Sequence, residues 1–126
     1  MNIVLWVLQT LLALIFGASG AMKVVSQKEK LKESGGERMA WVDSLSDLNL
    51  KIVGGLEVLA AIGLILPLAS GILPWLTPLA AVGLVLTMIG AIALHIQRGD
   101  GMPSILTNVV LLAVAAFTAY GRFALA

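Results

Sequence analysis

The chain has no cysteine among its 126 residues. That excludes a thiol nucleophile, a disulfide relay, an iron–sulfur cluster and a thiolate metal site on this chain, since each of them needs the sulfur. A single histidine is too little for a dedicated zinc or haem site, so no metal is expected. Charge is scarce as well: Asp, Glu, Lys and Arg make up 12% of the residues, against about 25% in soluble proteins. The formal net charge of +1 provides no basic face for nucleic acid. The glycines lie inside apolar runs with no strand before them, which excludes a phosphate loop. The histidine has no nucleophile at the spacing of a serine triad.

What the chain has in excess is apolar surface, at 60% of residues. Small domains bury the smallest fraction of their surface, so a protein of this size cannot hide it, and lipid must take the remainder. A bilayer core of about 30 Å needs about 20 apolar residues in helix. Ile3–Met22, Leu48–Leu68, Trp75–Ile96 and Pro103–Phe123 each satisfy that length. The first could be mistaken for a signal peptide, because Ala18-Ser19-Gly20-Ala21 loosely resembles a cleavage site. It lacks a basic leader and outruns a signal peptide's apolar core, so it is expected to stay as a membrane helix. The expected fold is all-α: one integral membrane domain, 1–126, a bundle of four antiparallel helices.

The connections support this topology. Pro67, Ser70-Gly71 and Pro74 predict a short uncharged hairpin between the second and third spans. Pro78 falls in the first turns of the third span, where a proline costs little. Arg98-Gly99-Asp100-Gly101 predicts a tight turn into the fourth, with Pro103 in its first turn. Asp47 is placed to cap the second span. Only the connection from Lys23 to about Asp47 is long. Ser34 and Glu37 have capping-box spacing, and Met39, Trp41, Val42, Leu45 and Leu48 recur at three- and four-residue intervals. Two readings fit: a short amphipathic helix over Glu37–Ser46 lying at the membrane surface, or an ordered loop anchored by Trp41. Lys23, Lys28, Lys30, Lys32, Arg38, Lys51 and Arg98 fall on the side of this connection, and only Arg122 on the other. The positive-inside tendency then puts the 23–47 and 97–102 connections in the cytoplasm and both termini outside.

Ionisable groups at membrane depth cost a few kcal/mol each on insertion scales, so each asks for a partner or a purpose. Glu57 lies about three turns into the second span, with Gly54 and Ala61 on its face. Lys23 ends the first span, His95 ends the third, and Asn108 sits in the second turn of the fourth. Each helix therefore sends one polar group toward the cytoplasmic half of the bundle, and these four are the candidate ligand-binding or proton-handling residues. Each also has a plainer role: a snorkelling lysine, a histidine complementing a helix end, an asparagine bridging helices, and a glutamate in a structural salt bridge. Trp6, Trp41, Trp75, Tyr120 and Arg122 are expected as interface anchors. Gly17, Gly20, Gly83 and Gly90 mark packing faces that a homo-oligomer could use.

Two segments carry a family resemblance: Phe16-Gly17-Ala18-Ser19-Gly20-Ala21-Met22-Lys23 and Ile52-Val53-Gly54-Gly55-Leu56-Glu57-Val58-Leu59-Ala60-Ala61-Ile62-Gly63. Met88 to His95, Asn108 and Tyr120-Gly121-Arg122-Phe123 extend it over essentially the whole chain. In these the sequence resembles the DoxX-like membrane proteins. The resemblance implies a four-helix bundle in a bacterial cytoplasmic membrane. It also implies a link to thiosulfate-to-quinone electron transfer or oxidative-stress complexes, although most members have no assigned reaction. Without cysteine, sulfur redox chemistry would fall to substrate and partner. The expected function is a binding or accessory subunit without independent enzymatic activity. It would hold a quinone or another small lipophilic molecule, or a lipid, for a partner oxidoreductase. The alternatives are an assembly component of a membrane complex, a small proton-coupled transporter using Glu57, or an enzyme acting on a lipid-soluble substrate.

Overall fold

The computed structural model describes residues 1–26 and 28–124, with the backbone alone at 28, 34–38 and 40. Among the described residues, 4 helices are long and apolar enough to cross a membrane. They are α1 (Asn2–Val25), α3 (Asp47–Ser70), α4 (Leu76–Arg98) and α5 (Met102–Ala124). The connection between α1 and α3 forms a short helix, α2 (Lys28–Gly35), followed by a 3-10 helix (Gly36–Ser44). In the most apolar window of each long helix only 17–28% of residues are buried within the protein. Ile3, Leu14, Leu59 and Leu86 are more than 60% exposed. Such faces are stable only against hydrocarbon, so the bundle is an integral membrane protein.

The helix ends follow local chemistry, with some departures from expectation. The N-cap of α3 is Ser46, not Asp47: its side chain accepts from the Asn49 amide at 3.1 Å. Asp47 instead occupies the first turn, where a carboxylate complements the helix dipole. Gly71 (φ 75°) and Gly99 (φ 73°) end α3 and α4 in the left-handed conformation that glycine adopts without penalty. Pro67 lies inside α3 and not in the hairpin. A proline there cannot donate to the carbonyl one turn back. That carbonyl, on Gly63, accepts instead from the Thr77 hydroxyl of α4 at 2.9 Å. The hydrogen bond lost within α3 becomes one between helices.

The long connection differs most from expectation. The polar helix α2 has no apolar periodicity to announce it, and the short helix expected over Glu37–Ser46 is 3-10 in form. The capping pair Ser34 and Glu37 lies outside the described side chains. Leu31, Val42 and Leu50 are buried together, with Met39, Trp41 and Leu45 packed around them. This small apolar cluster ties the connection to the start of α3. Lys32 reaches Asp43 at 2.9 Å, and Arg98 donates to Ser44 at 2.7 Å, joining the connection to the end of α4.

The long helices pack most extensively as two pairs, α1 with α3 and α4 with α5. In the first pair the backbones touch at two glycines. A Cβ on Gly20 would lie 2.5 Å from the Gly54 carbonyl oxygen, and one on Gly54 would lie 2.7 Å from that of Gly20. The pairs join at the end that carries the termini and in the middle of the bundle. Gly63 meets Ala80 there, Leu5 packs on Gly121, and Leu12, Phe16, Leu64, Ala81, Leu84, Met88, Ala115 and Ala119 form the main core.

The backbone contact at Gly20 yields a direct expectation. Gly20→Ala should destabilise the bundle by about 1–3 kcal/mol, the usual cost of forcing extra volume into a packed contact. Gly83→Ala, where a Cβ meets nothing within 4 Å, should be neutral or gain a few tenths from helix propensity. Thermal unfolding of the two variants in the same detergent measures the difference; equal melting temperatures would refute close packing at Gly20.

Candidate functional site

Between the two helix pairs, at the end where the connections lie, is a cavity of about 800 Å³. Its walls come from all four long helices, the 3-10 helix contributes Met39 and Trp41, and Leu45 just after it adds to them. Lys23, Glu57, His95 and Asn108, which the sequence placed on one side of the membrane, all line it. The periodicity explains why. Each is on the inward stripe of its own helix and in the half near the connections, and antiparallel helices bring those halves together.

The side chains fall into two charged groups. Lys23 and Glu57 form a buried ion pair at 2.5 Å, and the lysine also donates to Ser19 at 3.0 Å. Glu57 lies ten residues beyond the start of α3, roughly 15 Å along it. Lys23 is only 9% exposed, so it turns inward and does not snorkel. The glycine contact explains the reach, because Gly20 and Gly54 lie one turn before Lys23 and Glu57 on their helices. The Lys23 ammonium also lies 5.2 Å from the centre of the Trp41 ring, which adds a cation–π attraction. Trp41, expected as an interface anchor, is thus turned onto the site.

The second group is built by a turn. At the end of α4 the Gly99 amide donates to the Ile96 carbonyl and the Asp100 amide to that of His95. This is the Schellman arrangement, which folds the second residue after the helix back over its last turn. The Asp100 carboxylate therefore lies 2.6 Å from His95 Nδ1 and 3.1 Å from Arg98 Nε. The hydrogen bond from His95 holds the Asp100 carboxyl below its ordinary value. Desolvation partly opposes this, and the bond and charge of Arg98 reinforce it. His95 is buried, with Trp41 edge-on to its ring at 6.4 Å between centroids. Glu57 thus pairs with Lys23 and not with His95. Asp100 is a site residue that sequence reasoning read only as part of a turn. The available signal was a carboxylate five residues after a histidine across a helix-ending glycine.

The remaining lining is amphipathic. Ser19, Thr107 and Asn108 add neutral hydrogen-bonding groups, while Ile15, Phe16, Leu86, Met88 and Leu111 make the deeper wall apolar. Several lining residues, including Ile15, Leu56 and Leu86, are also exposed on the lipid-facing surface, so the cavity communicates with the bilayer. Among the described residues no cluster of His, Asp and Glu has the makings of a metal site.

The opposite end holds a different buried charge. Arg122, expected as an interface anchor, is only 6% exposed. It donates to Gln9 at 2.6 Å and to Asn2 at 2.8 Å, and its guanidinium lies 5.3 Å from the centre of the Trp6 ring. Gln9 in turn donates to the Leu64 carbonyl at 2.5 Å. Arg122 turns inward because α5 lies against α1 there, and the partners it finds are neutral amides. Trp75 and Tyr120, by contrast, are exposed at 53% and 63%.

The profile of the DoxX-like family matches residues 7–118. The chain belongs to the DoxX-like family. The match takes in most of all four membrane helices and the connection between the first two, so the cavity and both charged groups lie inside it. No curated protein and no solved structure matches the chain.

Two outcomes test the charged groups. Glu57→Gln and Lys23→Met should each destabilise by about 3–5 kcal/mol, because each leaves a buried charge without its partner. The double variant should cost much less than the sum; additive losses in a thermal double-mutant cycle would show that the pair does not interact. For Asp100, a lowered carboxyl value in the folded state means that its stabilisation is present above the ordinary value of 3.8 and fades as the pH falls through the folded value. The melting temperature of Asp100→Asn should therefore fall less than that of the wild type as the pH is lowered below about 4.

Proposed function

We propose that this DoxX-like protein is a membrane-embedded binding subunit that holds a small lipophilic molecule, quinone-like in size and polarity, in the cavity beside Glu57. The observation that carries the reading is the cavity itself. A purely structural Lys23–Glu57 bridge needs no space next to it, yet here about 800 Å³ adjoin the pair. The volume lies within the usual range for small-molecule sites, about 300–1,000 Å³, and so does the division into an apolar wall and a few convergent polar groups. Lys23 and Glu57 neutralise each other, so the site favours an uncharged head group over an ion. Lys23 and Asn108 can donate to a carbonyl or hydroxyl, the Thr107 hydroxyl, which itself donates to the Pro103 carbonyl at 2.8 Å, can accept, and the apolar wall takes the hydrocarbon part. With no cysteine on the chain, the electrons of any redox step would come from a partner oxidoreductase. The protein's role there is to bind, orient and desolvate.

Orientation is part of the same proposal. The face that carries the connections also carries nearly all the basic residues, so it is assigned to the cytoplasm. The cysteine-free chain makes this easy to check. A single cysteine at Lys30 should resist a membrane-impermeant thiol reagent in intact cells, and one at Ile72 should react; the reverse pattern would invert the assignment.

The ligand is tested by native mass spectrometry of the protein gently extracted from its own membrane. The wild type should carry a small molecule that is lost both in Glu57→Gln and in the space-filling variant Ala91→Leu, which projects into the cavity. A folded protein free of small molecules in every case would refute the binding reading. It would favour an assembly role, for which the ion pair alone suffices.

A further inference from the structure

His95 lines the cavity, and the hydrogen-bonding sense of its ring is set by a residue of the turn that follows α4. His95 is the one histidine in the chain, it is 7% exposed, and it lines the cavity. Its Nδ1 lies 2.6 Å from Asp100 Oδ2. A carboxylate oxygen at that distance accepts a hydrogen bond, so Nδ1 must carry the proton. In a neutral imidazole only one nitrogen carries it, and Nε2 is then left as a bare acceptor. This is the logic by which a partner on one ring nitrogen decides the chemistry of the other.

Asp100 is itself held in place. The Schellman turn fixes its backbone against that of His95 through the Asp100 amide and the His95 carbonyl, 2.9 Å apart. Arg98 Nε donates to the same carboxylate oxygen at 3.1 Å, and Arg98 Nη1 bonds Ser44 on the 3-10 helix at 2.7 Å. The Trp41 ring, edge-on to His95, limits rotation of the imidazole from that side. These contacts hold the ring in one orientation and select one tautomer before any ligand arrives. Below His95 on the same stripe of α4 lie Ala91 and Met88, both lining the cavity. A molecule with its head at His95 can therefore extend an apolar body along them.

We propose that Asp100 is a positioning residue that fixes His95 with Nδ1 protonated, and that the cavity therefore selects lipophilic molecules carrying a hydroxyl group, such as phenols, held by O–H donation to His95 Nε2. This rests on the cavity being a ligand site and sharpens it, because the site then discriminates by the direction of a hydrogen bond. A hydroxyl satisfies Nε2, whereas a carbonyl or ether oxygen at the same place would set acceptor against acceptor. For a molecule that interconverts between carbonyl and hydroxyl forms, the site binds the reduced, hydroxylated form more tightly.

The test uses the purified protein in detergent with the probe pair 4-hexylphenol and 4-hexylanisole, which differ by the O–H donor. Incorporation of ¹⁵N-histidine gives ring signals from His95 alone. The expected result is a protonated Nδ1 and a bare Nε2 in the free protein, with 4-hexylphenol shifting the Nε2 signal. In native mass spectrometry titrations the phenol should bind roughly three- to tenfold tighter than the ether, the value of one net hydrogen bond. Asp100→Ala should move the proton to Nε2 and abolish the preference, and Asp100→Glu should restore part of it; were either variant to misfold, the wild-type measurements decide alone. A proton on Nε2 in the free wild type, on one or both nitrogens, overturns the proposal. So does equal binding of phenol and ether, which would leave the cavity as a ligand site without this selectivity. If neither probe is retained, the ligand-site reading falls, and this proposal with it.

Discussion

A carboxylate roughly 15 Å along a membrane-spanning helix cannot be left alone, and the arrangement of the first helix pair follows from that constraint. The penalty for an isolated charge in hydrocarbon amounts to several kcal/mol. Lys23 offsets it only by reaching Glu57 across the interface, which requires the two backbones to approach closely. Gly20 and Gly54 permit the approach, since any side chain at either position would collide with the opposite carbonyl. Ser19 accepts a second of the lysine's hydrogen bonds and the Trp41 ring faces its charge, which leaves one ammonium proton for the cavity. Glycine contact and ion pair are therefore one device: the contact sets the distance, and the pair makes the distance favourable.

Holding α1 so tightly to α3 has a consequence for the other pair. α4 and α5 close on them at the end of the termini, where Gly63, Gly121 and the Gln9–Arg122 bonds allow it. Toward the connections the space between the pairs is occupied by the cavity and roofed in part by the 3-10 helix. The long connection is thus a structural part of the site. Its apolar cluster seats it on α3, and Arg98 fastens it to α4.

The two ends of the bundle accommodate buried charge in different ways. Near the connections a cation meets an anion and the local charge cancels, which suits a site for an uncharged head group. At the other end Arg122 has amide oxygens and an aromatic face instead of a carboxylate, and its Nη2 has no hydrogen-bond partner among the described residues. A guanidinium tolerates such surroundings better than an ammonium does, because its charge is delocalised and more weakly hydrated. The lysine stands where a carboxylate can meet it, and the arginine where only neutral partners can.

The four spans, their antiparallel order and the inward stripe shared by Lys23, Glu57, His95 and Asn108 were all legible in the sequence. They follow from hydrocarbon thickness, from the 3.6-residue period and from the cost of charge in lipid, which act on each helix separately. The helix α2 was not legible, because a short polar segment has no periodicity to distinguish it from a loop. Arg122 was misplaced for a related reason. A basic residue near a helix end can turn outward or inward, and only the neighbouring helix decides which. The proline in α3 found its replacement donor on a different helix, and the pairing of Glu57 with Lys23 and of His95 with Asp100 depended on distances across the bundle and around a turn. By itself the sequence determined which residues must avoid lipid, since that is a property of each side chain against the solvent. The tertiary structure decided whom they meet there and that a cavity remains beside them, since both depend on how closely two helices approach.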